Sequence, residues 1–456
     1  MVTEGGLRAP EREKFDIESP LYWDEDVLDK EMRRQFDVCH SCRRCFNLCD
    51  SFPKLFDLID ESVSMELDTV DSKEFKKVTD ACTLCDMCFM VSCPYVPPHE
   101  FAIDIPSLLI RHKAQTNNLL KNKDKFLSKT DGNGKIGILF SAIANFLITK
   151  KNILARFLIE LLVGIDKTAS LPKFNALTFK NYIKKLKKIS IIKNNPDQEK
   201  VIIFSTCYVN YNDANIGKAL LEVLEKNNIY YEEGYTECCK MPQLEQGEVK
   251  VVKAAAERIA KNLRKKIDDG FKVIAPIASC ALMLKSHWPL LSPENEDVNI
   301  LSKNTLDVDE YIWELNNNDK LNKNFYGLDN NITLHTSCHS RAQNIGPKSA
   351  QVLSLIPGIK TLNVEKCSGH GGTWGVKKRW NKTARKVGFN AAKLFYKEDN
   401  NLLASTCPLA ALHLSDINEE KKINQKDNNK KIFHPIELIA KAYREEDKRK
   451  NNFKEK

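Results

Sequence analysis

The sequence predicts an α + α/β chain in which a mainly helical N-terminal unit and a helical linker precede two pseudo-symmetric βαβ repeats. Three observations predict this class. Eight cysteines fall in two short runs before residue 94, residues 111–200 are rich in lysine, and residues 201–416 alternate strand-like and helix-like patterns twice over. The predicted units are 1–110, 111–200, 201–325, 326–416 and a charged tail with a short helix, 417–456.

Composition narrows the class of protein. A chain of 456 residues is long enough for about three domains, and 42% hydrophobic residues exclude a disordered chain. No apolar stretch reaches the ~18 residues of a transmembrane helix, and the N-terminus has no apolar signal segment. We therefore expect a cytoplasmic protein that could lie on the inner face of a membrane. In that compartment, 15 cysteines indicate metal binding or redox chemistry instead of disulfides.

Charge is distributed unevenly along the chain. Residues 1–110 hold 12 Lys/Arg and 23 Asp/Glu, which gives 12 − 23 = −11, and residues 111–200 hold 19 and 6, which gives +13. The rest supplies +7 of the total of +9. An acidic unit, a basic unit and a mildly basic remainder support the proposed division and predict contacts with different partner surfaces.

The first unit begins with a helix near Asp24, because Leu28, Met32 and Phe36 recur on one helical face. Two cysteine runs follow, with a mostly acidic and helical stretch between them. In each run, three cysteines at two-residue gaps suit one corner of a cubane, and a fourth points toward a second cluster. The runs are Cys39, Cys42, Cys45, Cys49 and Cys82, Cys85, Cys88, Cys93.

These runs predict a ferredoxin-type domain with two [4Fe–4S] clusters and crossed ligation. Cys93 would complete the cluster of the first run, and Cys49 would complete the cluster of the second. A pair of zinc knuckles is the alternative, although zinc sites usually pair one CxxC with a distant pair. Asp50 stands where proline usually follows the fourth cysteine, and the last gap of the second run is one residue longer than usual.

The basic linker contains a turn signal at 131–134, Asp-Gly-Asn-Gly, and then two apolar stretches, Ile136–Ile148 and Ile153–Ile165. These stretches predict a pair of amphipathic helices. They would form either a packed hairpin with buried stripes or a surface that docks on a membrane or a membrane subunit. The packed hairpin is the leading interpretation, because buried stripes of this length are common. Basic residues would help the docking surface: Lys150, Lys151, Arg156 and the run 184–188. Nucleic-acid binding is not expected, because the stretch has no recognisable motif.

The repeat region contains the same pattern twice, so that Cys207 in the first copy corresponds to Cys338 in the second. The first copy has strands at 201–206, 229–235 and 271–279 and a helix at 213–226. A second helix has an apolar face that runs from Val252 to Ile267, and Gly270 closes it. The second copy has strands at 332–337, 361–366 and 402–405 with helices at 348–355 and 376–393. Cysteines follow the strands in both copies, and the carboxyl ends of parallel strands are where open α/β sheets bind ligands. The first copy has Cys207, Cys238, Cys239 and Cys280, and the second has Cys338, Cys367 and Cys407.

The four thiols of the first copy could hold an iron–sulfur cluster or a zinc ion, or they could be small core residues. In the second copy Ser368 and Ala410 replace two of the cysteines. His339 and His370 are weaker candidates to complete a mixed site there. The segment at 369–372, Gly-His-Gly-Gly, lacks the G-x-G-x-x-G pattern, so no flavin or nicotinamide site is expected.

The two cysteine runs, the repeats and the segments 367–375 and 407–410 together resemble the heterodisulfide-reductase-related iron–sulfur proteins. Within that family the chain is most similar to the C subunits of anaerobic glycerol-3-phosphate dehydrogenases. The resemblance implies an electron-transfer subunit between a flavin dehydrogenase subunit, or another redox protein, and a quinone or other acceptor. Members with complete repeats bind a cluster that reduces disulfides, and Ile277 occupies a position where they have cysteine.

Three functions therefore compete. The leading one is an electron conduit that runs from the two N-terminal clusters to a metal site in the first repeat. The second is a thiol–disulfide reductase, and the third is a scaffold subunit with structural zinc in the repeats. No residue is assigned a catalytic role, and the chain is expected to be an oxidoreductase component whether or not it is itself an enzyme.

Overall fold

The computed structural model describes residues 10–116, 122–187, 198–328, 331–399, 401–427 and 430–454. The fold is mixed α/β, as predicted, with two small parallel sheets among many helices. The helices of the N-terminal unit and the linker are α1 Glu25–Cys42, α2 Ser51–Asp60, α3 Phe75–Ala81, α4 Ile105–Thr116, α5 Asn122–Ser128, α6 Thr130–Leu139, α7 Ser141–Ile148, α8 Ile153–Val163 and α9 Phe179–Lys187.

The first repeat is built around a four-stranded parallel sheet in the order β2–β1–β3–β4. Val201, Ile202 and Ile203 of its central strand are almost inaccessible, as expected for a parallel sheet covered on both faces. Its elements are β1 Lys200–Ile203, α10 Thr206–Tyr211, α11 Ala214–Lys226, β2 Tyr230–Glu233, α12 Met241–Leu244, α13 Val249–Asp268, β3 Lys272–Ala275, α14 Ala278–Leu282, α15 Trp288–Leu291, α16 Glu296–Lys303, β4 Thr305–Asp307 and α17 Val308–Asn317.

The second repeat reproduces this arrangement with the order β6–β5–β7–β8, again all parallel. The predicted strand at 402–405 coincides with β7, while the other predicted strands extend too far at their ends. Its elements are β5 Ile332–His335, α18 Cys338–Ala342, α19 Lys348–Leu353, β6 Thr361–Val364, α20 Asn381–Phe395, β7 Leu402–Ser405, α21 Pro408–Lys421, β8 Ile432–Phe433 and α22 Pro435–Lys454.

The C-terminal segment is more ordered than the sequence suggests. It supplies β8, the fourth strand of the second sheet, and α22 is 20 residues long instead of a short helix near 435–443. Ile436, Leu438, Ile439 and Tyr443 of α22 are buried in the same hydrophobic core as the first repeat. The tail therefore connects the two repeats, which its Lys/Asn-rich composition does not indicate.

The N-terminal unit has a hydrophobic core of its own. The predicted helix is confirmed as α1: the Asp24 side chain caps it by accepting from the Val27 N–H, and Leu28, Met32 and Phe36 are buried. The acidic stretch between the cysteine runs is helical in part, through α2 and α3. In the described ranges no helix is both long and apolar enough to cross a membrane.

The linker differs from prediction in two respects. The expected turn at 131–134 is the first part of α6, where Gly134 and Gly137 leave room for the rings of Tyr211 and Phe174. The helical pair exists as α7 and α8, but its leucine and phenylalanine side chains face outward. Residues 188–197, which include the last lysine of the predicted basic run, lie outside the described residues.

The inward face of α8 is polar, which explains this orientation. Its buried residues are Ala155, Arg156 and Glu160. The Arg156 guanidinium donates to the carbonyls of Asp166 and Ala169, so it is a buried structural residue and not part of a basic docking face. Lys150 is likewise engaged with Asp416 on α21. The predicted packed hairpin with buried apolar stripes is therefore wrong.

Candidate functional site

The eight N-terminal cysteines lie at the ends of helices and in the loops that follow them. Cys39 and Cys42 occupy the last turn of α1, and Arg43 then ends the helix in the left-handed conformation. Cys49 lies two residues before the start of α2, where the N–H groups of Ser51 and Phe52 point toward its sulfur. Helix termini therefore position thiols from distant parts of the chain close to one another.

The structure brings these cysteines together in two groups. Burial raises the pKa of Cys39, and its neighbouring thiols Cys93, Cys45 and Cys42 act in the same direction. Burial also raises the pKa of Cys49, with Cys82 and Cys85 as its neighbouring thiols. Each group therefore contains three cysteines of one run and the fourth cysteine of the other run. The groups are Cys39, Cys42, Cys45, Cys93 and Cys49, Cys82, Cys85, Cys88.

The loop of the second run has the backbone of an anion cradle. Leu84 and Asp86 adopt positive φ angles of 50° and 60° on either side of Cys85. The Leu84 N–H donates to the Cys82 sulfur over 3.5 Å. Successive N–H groups turned inward in this way are typical of phosphate and iron–sulfur sites.

The four cysteines of the first repeat form a chain of close thiols. The Cys207 and Cys238 sulfurs are 3.7 Å apart, and those of Cys239 and Cys280 are 3.2 Å apart. Cys207 and Cys280 lie in short helices, α10 and α14, that start just after β1 and β3. All four therefore lie at the carboxyl edge of the first sheet, as predicted.

In the second repeat, Cys338 contacts both Cys367 and Cys85 of the N-terminal unit. The hydrogen bond from Cys338 lowers the pKa of Cys367 to about 7, and the Gly369 N–H contributes by donating to its sulfur over 3.3 Å. Cys407 precedes α21 and receives the N–H groups of Leu409 and Ala410.

The two repeats are equivalent in local geometry. The Lys240 N–H donates to the Cys238 sulfur over 3.4 Å, just as Gly369 does to Cys367. Lys240 and Gly369 both have positive φ, 67° and 75°. Cys238 also receives the Cys207 thiol, so its pKa is lowered. The repeat inferred from cysteine spacing therefore extends to the hydrogen bonds of the thiols.

All seven repeat cysteines line one cavity of about 250 Å³, which we call the central cavity. Cys49 and Cys85 of the N-terminal unit line it too. The wall is mostly apolar, with contributions from Tyr208 and Trp374. The sequence predicts a separate site in each repeat, whereas the structure shows a single space that both repeats and the N-terminal unit share.

The two candidate histidines have different environments. The His339 Nε2 donates to the Leu84 carbonyl and its Nδ1 accepts from the Ser279 hydroxyl, so His339 joins three parts of the fold and neither nitrogen is free. His370 lines the central cavity, and within the described part of the chain neither of its ring nitrogens has a hydrogen-bond partner. Burial lowers the pKa of His370 to about 3, which keeps the ring neutral.

Sequence reasoning missed the contribution of the linker to this site. Asp131 accepts the Cys238 N–H over 2.7 Å and also the Tyr235 hydroxyl. The Thr130 hydroxyl contacts the Cys207 and Cys238 thiols. Both residues are at the start of α6, where the sequence Asp-Gly-Asn-Gly predicts a turn instead of a helix. No local signal connects them to cysteines so distant along the chain.

The grouped thiols are ligands of the kind that iron–sulfur clusters use. Each of the 15 cysteines is a free thiol. Among the described residues, no three His, Cys, Asp or Glu side chains are placed to hold one metal ion together. A cluster distributes its thiolates over several iron atoms, so its ligands need not converge on a point. The donor set, two groups of four cysteines, is the set that [4Fe–4S] clusters use.

Comparison with known proteins agrees with this architecture. The model of the cysteine-rich domain family called CCG matches residues 201–285 and 332–415, the two repeats. The B subunit of the fumarate reductase (CoM/CoB) of Methanothermobacter marburgensis is 26% identical over 56% of this chain. The match spans 48%, about half, of the length of that relative.

Two other relatives are covered more completely. The C subunit of the anaerobic glycerol-3-phosphate dehydrogenase of Escherichia coli is 24% identical over 75% of this chain and 82% of its own. Lactate utilization protein A of Bacillus pumilus is 31% identical over 39% of this chain and 75% of its own. The chain belongs to this family of heterodisulfide-reductase-related proteins with paired CCG cysteine-rich domains.

Proposed function

We propose that the protein is an iron–sulfur electron-transfer subunit that receives electrons from a redox partner and delivers them to an acceptor in the central cavity. The observation that carries this proposal is the position of Cys49 and Cys85. Both belong to the N-terminal cysteine groups, and both line the cavity that the repeat cysteines share. Electrons could therefore pass from the N-terminal unit to the repeats without crossing a layer of protein between them.

The N-terminal unit would act as a ferredoxin-type domain. Each of the two groups of four cysteines would hold one [4Fe–4S] cluster, and bound clusters of this type accept and release single electrons. The backbone N–H groups around Cys82 and Cys49 stabilise the negative charge of the ligating sulfurs. The four thiols of the first repeat would hold a third iron–sulfur cluster, or zinc as the alternative.

The relatives support the general redox role. Two of them are named as subunits of a fumarate reductase and of a glycerol-3-phosphate dehydrogenase. By analogy, we propose a flavin dehydrogenase subunit or another redox protein as the donor and a quinone as the acceptor. The apolar wall of the central cavity suits a planar organic molecule, and neutral His370 offers it a hydrogen bond.

A thiol–disulfide reductase is the second candidate function. Two thiol pairs of the first repeat, Cys207–Cys238 and Cys239–Cys280, are within hydrogen-bond distance. Small movements could bring their sulfurs to the ~2.05 Å of a disulfide. A disulfide substrate would occupy the same central cavity, so the two candidates differ in the acceptor and not in the site.

We further propose that the outward face of α6–α8 docks on a lipid bilayer. This apolar patch consists of side chains that are each at least 41% exposed: Ile136, Leu139, Phe140, Ile143, Phe146, Leu147, Ile153, Leu154, Phe157, Leu158, Leu161 and Leu162. Large exposed apolar patches mark interaction sites. The helices are 8 to 11 residues long, too short to span a bilayer, and their apolar outward face suits a position in the interface plane.

The test is to quantify iron, acid-labile sulfide and zinc in anaerobically purified protein and to record EPR spectra after reduction. Eight irons in two cubane clusters, and reduction of a quinone analogue, support the proposal, and twelve irons add a third cluster. Eight irons with stoichiometric zinc and no acceptor reduction would favour the scaffold alternative. Reduction of a disulfide but not of a quinone would favour the second candidate.

A further inference from the structure

A second cavity, of about 280 Å³, lies next to the central cavity and has many charged side chains in its wall. We call it the polar cavity. Its charged wall residues are Lys76, Asp80, Lys113, Asp124, Glu245, Lys377 and Arg379. Side chains at its rim are open to solvent, since Lys76 is 48% exposed and Arg379 is 45% exposed. Water can therefore reach this space, while the central cavity is mostly apolar.

Four residues line both cavities and so form the wall between them: Thr83, Glu245, Gly371 and Trp374. Of these, only Glu245 has an ionisable side chain. It follows α12 in the first repeat and is only 7% exposed. The described residues give its carboxylate one hydrogen bond, from the Thr373 N–H over a long 3.5 Å.

The glycine loop of the second repeat makes room for this carboxylate. A Cβ atom on Gly372 would lie 2.2 Å from the Glu245 Oε1, and Gly372 has a φ of +58°. Gly371 is similarly close to Thr83. The glycine loop of the second repeat thus holds an acidic side chain from the first repeat.

We propose that Glu245 is the proton-relay residue that carries protons from the water of the polar cavity to the acceptor in the central cavity. The inference rests on the proposed function, because only there is an acceptor reduced. A quinone takes up two electrons and two protons, and two O–H bonds form as it becomes a quinol. The electrons come from the redox partner. Glu245 gives one proton at a time from its carboxylic acid and regains it from water.

The surroundings of Glu245 suit a group that exchanges protons. Burial raises its pKa to about 7, while the ammonium groups of Lys113 on α4 and Lys377 after β6 oppose this effect. Lys377 is itself paired with Asp124 over 2.7 Å, and Lys113 donates to the Cys82 carbonyl. Acid and carboxylate forms are therefore both accessible near neutral pH, as efficient proton transfer requires.

The test compares Glu245→Gln, which keeps shape and removes the proton, with Glu294→Gln, whose side chain is 91% exposed in another part of the fold. Quinone reduction by Glu245→Gln should be about 10²-fold slower than by wild type at pH 6. The wild-type rate should decline as the pH rises through 7 and Glu245 loses its proton, and the rate of the variant should show no such decline. Reduction of ferricyanide, which takes no proton, should be unchanged, and so should iron content. The Glu294→Gln control should behave as wild type in every assay.

A second measurement does not depend on the acceptor. The infrared spectrum of wild type minus that of Glu245→Gln, followed over a pH titration, should contain a carboxylic-acid band that disappears near pH 7. The subtraction removes the band of Asp309, a second buried carboxyl whose pKa burial raises to about 7. A wild-type rate and pH profile in Glu245→Gln, or the absence of such a band, would overturn the inference. If wild-type protein shows this band but does not reduce a quinone, the result would count against the proposed function instead.

Discussion

At the scale of single residues, the cysteines of the N-terminal unit show how geometry and spacing combine. The spacing of each run predicts crossed ligation, and the two groups of thiols in the structure have the membership that crossed ligation requires. The assignment of clusters to these groups stays a proposal. It can be tested at the fourth cysteine of each run, where the two possible ligation patterns differ.

We predict that Cys49→Ser will perturb the cluster held by Cys82, Cys85 and Cys88, because the Cys49 thiol lies beside Cys82 and Cys85. EPR spectra of the reduced protein, recorded through a redox titration, should show one changed signal and one unchanged signal. Cys93→Ser is the matched control and should change the other signal. If both variants changed the signal of their own run, crossed ligation would be wrong.

We predict that the first repeat is the metal-binding one of the two. Cys239 is buried and its sulfur is 3.2 Å from that of Cys280, in a set of four thiols that can saturate a four-ligand site. Cys239→Ala should therefore lose iron and most electron transfer to a quinone analogue. Cys367→Ala should retain its iron, because the second repeat has only three thiols, which are too few to saturate a four-ligand site. The reverse pattern of iron loss would contradict the prediction.

At the scale of elements, the linker helices have two roles that their sequence does not separate. The start of α6 reaches the cysteines of the first repeat through Thr130 and Asp131, while its later residues join the exposed apolar patch. α8 buries Arg156 and exposes its leucines because the guanidinium satisfies several carbonyls that would otherwise lack partners. Hydrophobic periodicity found the helices but assigned their faces wrongly.

We predict that the triple variant Phe146→Glu, Leu154→Glu, Leu162→Glu will bind at least about tenfold less well to vesicles of phosphatidylcholine and phosphatidylglycerol. Each wild-type side chain would bury an apolar surface worth about 1.5–3 kcal/mol. Co-sedimentation measures the change. The control adds the same charge elsewhere, at exposed Val63, Met65 and Leu362. Equal loss in both variants would indicate a general charge effect, and no loss in the first would contradict docking through the patch.

At the scale of the whole molecule, charge is segregated between the units. Residues 1–110 carry −11, whereas the linker carries +13, part of which is neutralised by pairs with the repeats such as Lys150–Asp416 and Lys180–Glu233. The acidic unit holds the two N-terminal cysteine groups. An electron donor that approaches them therefore meets a negative surface.

We predict that the reduced protein forms faster from cationic methyl viologen radical than from its anionic sulfonatopropyl analogue, because the −11 unit attracts one and repels the other. Stopped-flow absorbance of the viologens gives both rates. The ratio should approach one at ~1 M salt, where the Debye length is about 3 Å. Equal rates at low salt would contradict electrostatic steering of electron entry.

Several features followed from the sequence because they depend on local pattern. Apolar periodicity located α1 and α13 and placed both ends of α11 within a residue, and the spacing of the cysteines identified the two runs and the duplicated repeat. Chain-distant contacts could not be found this way. The pairing of β8 with β7 and the burial of α22 against the first repeat join segments whose composition is that of a charged tail.

The sequence by itself determined the family, the succession of helices and strands, and which residues can ligate iron, because these depend on residue type and short spacing. Only the tertiary structure decided that the cysteines of both repeats and of the N-terminal unit share one cavity, and that Glu245 separates it from the polar cavity. The physical reason is that parallel strands bring their carboxyl ends together whatever their distance in sequence. How two sheets and a helical unit then face one another depends on the packing of all their surfaces at once.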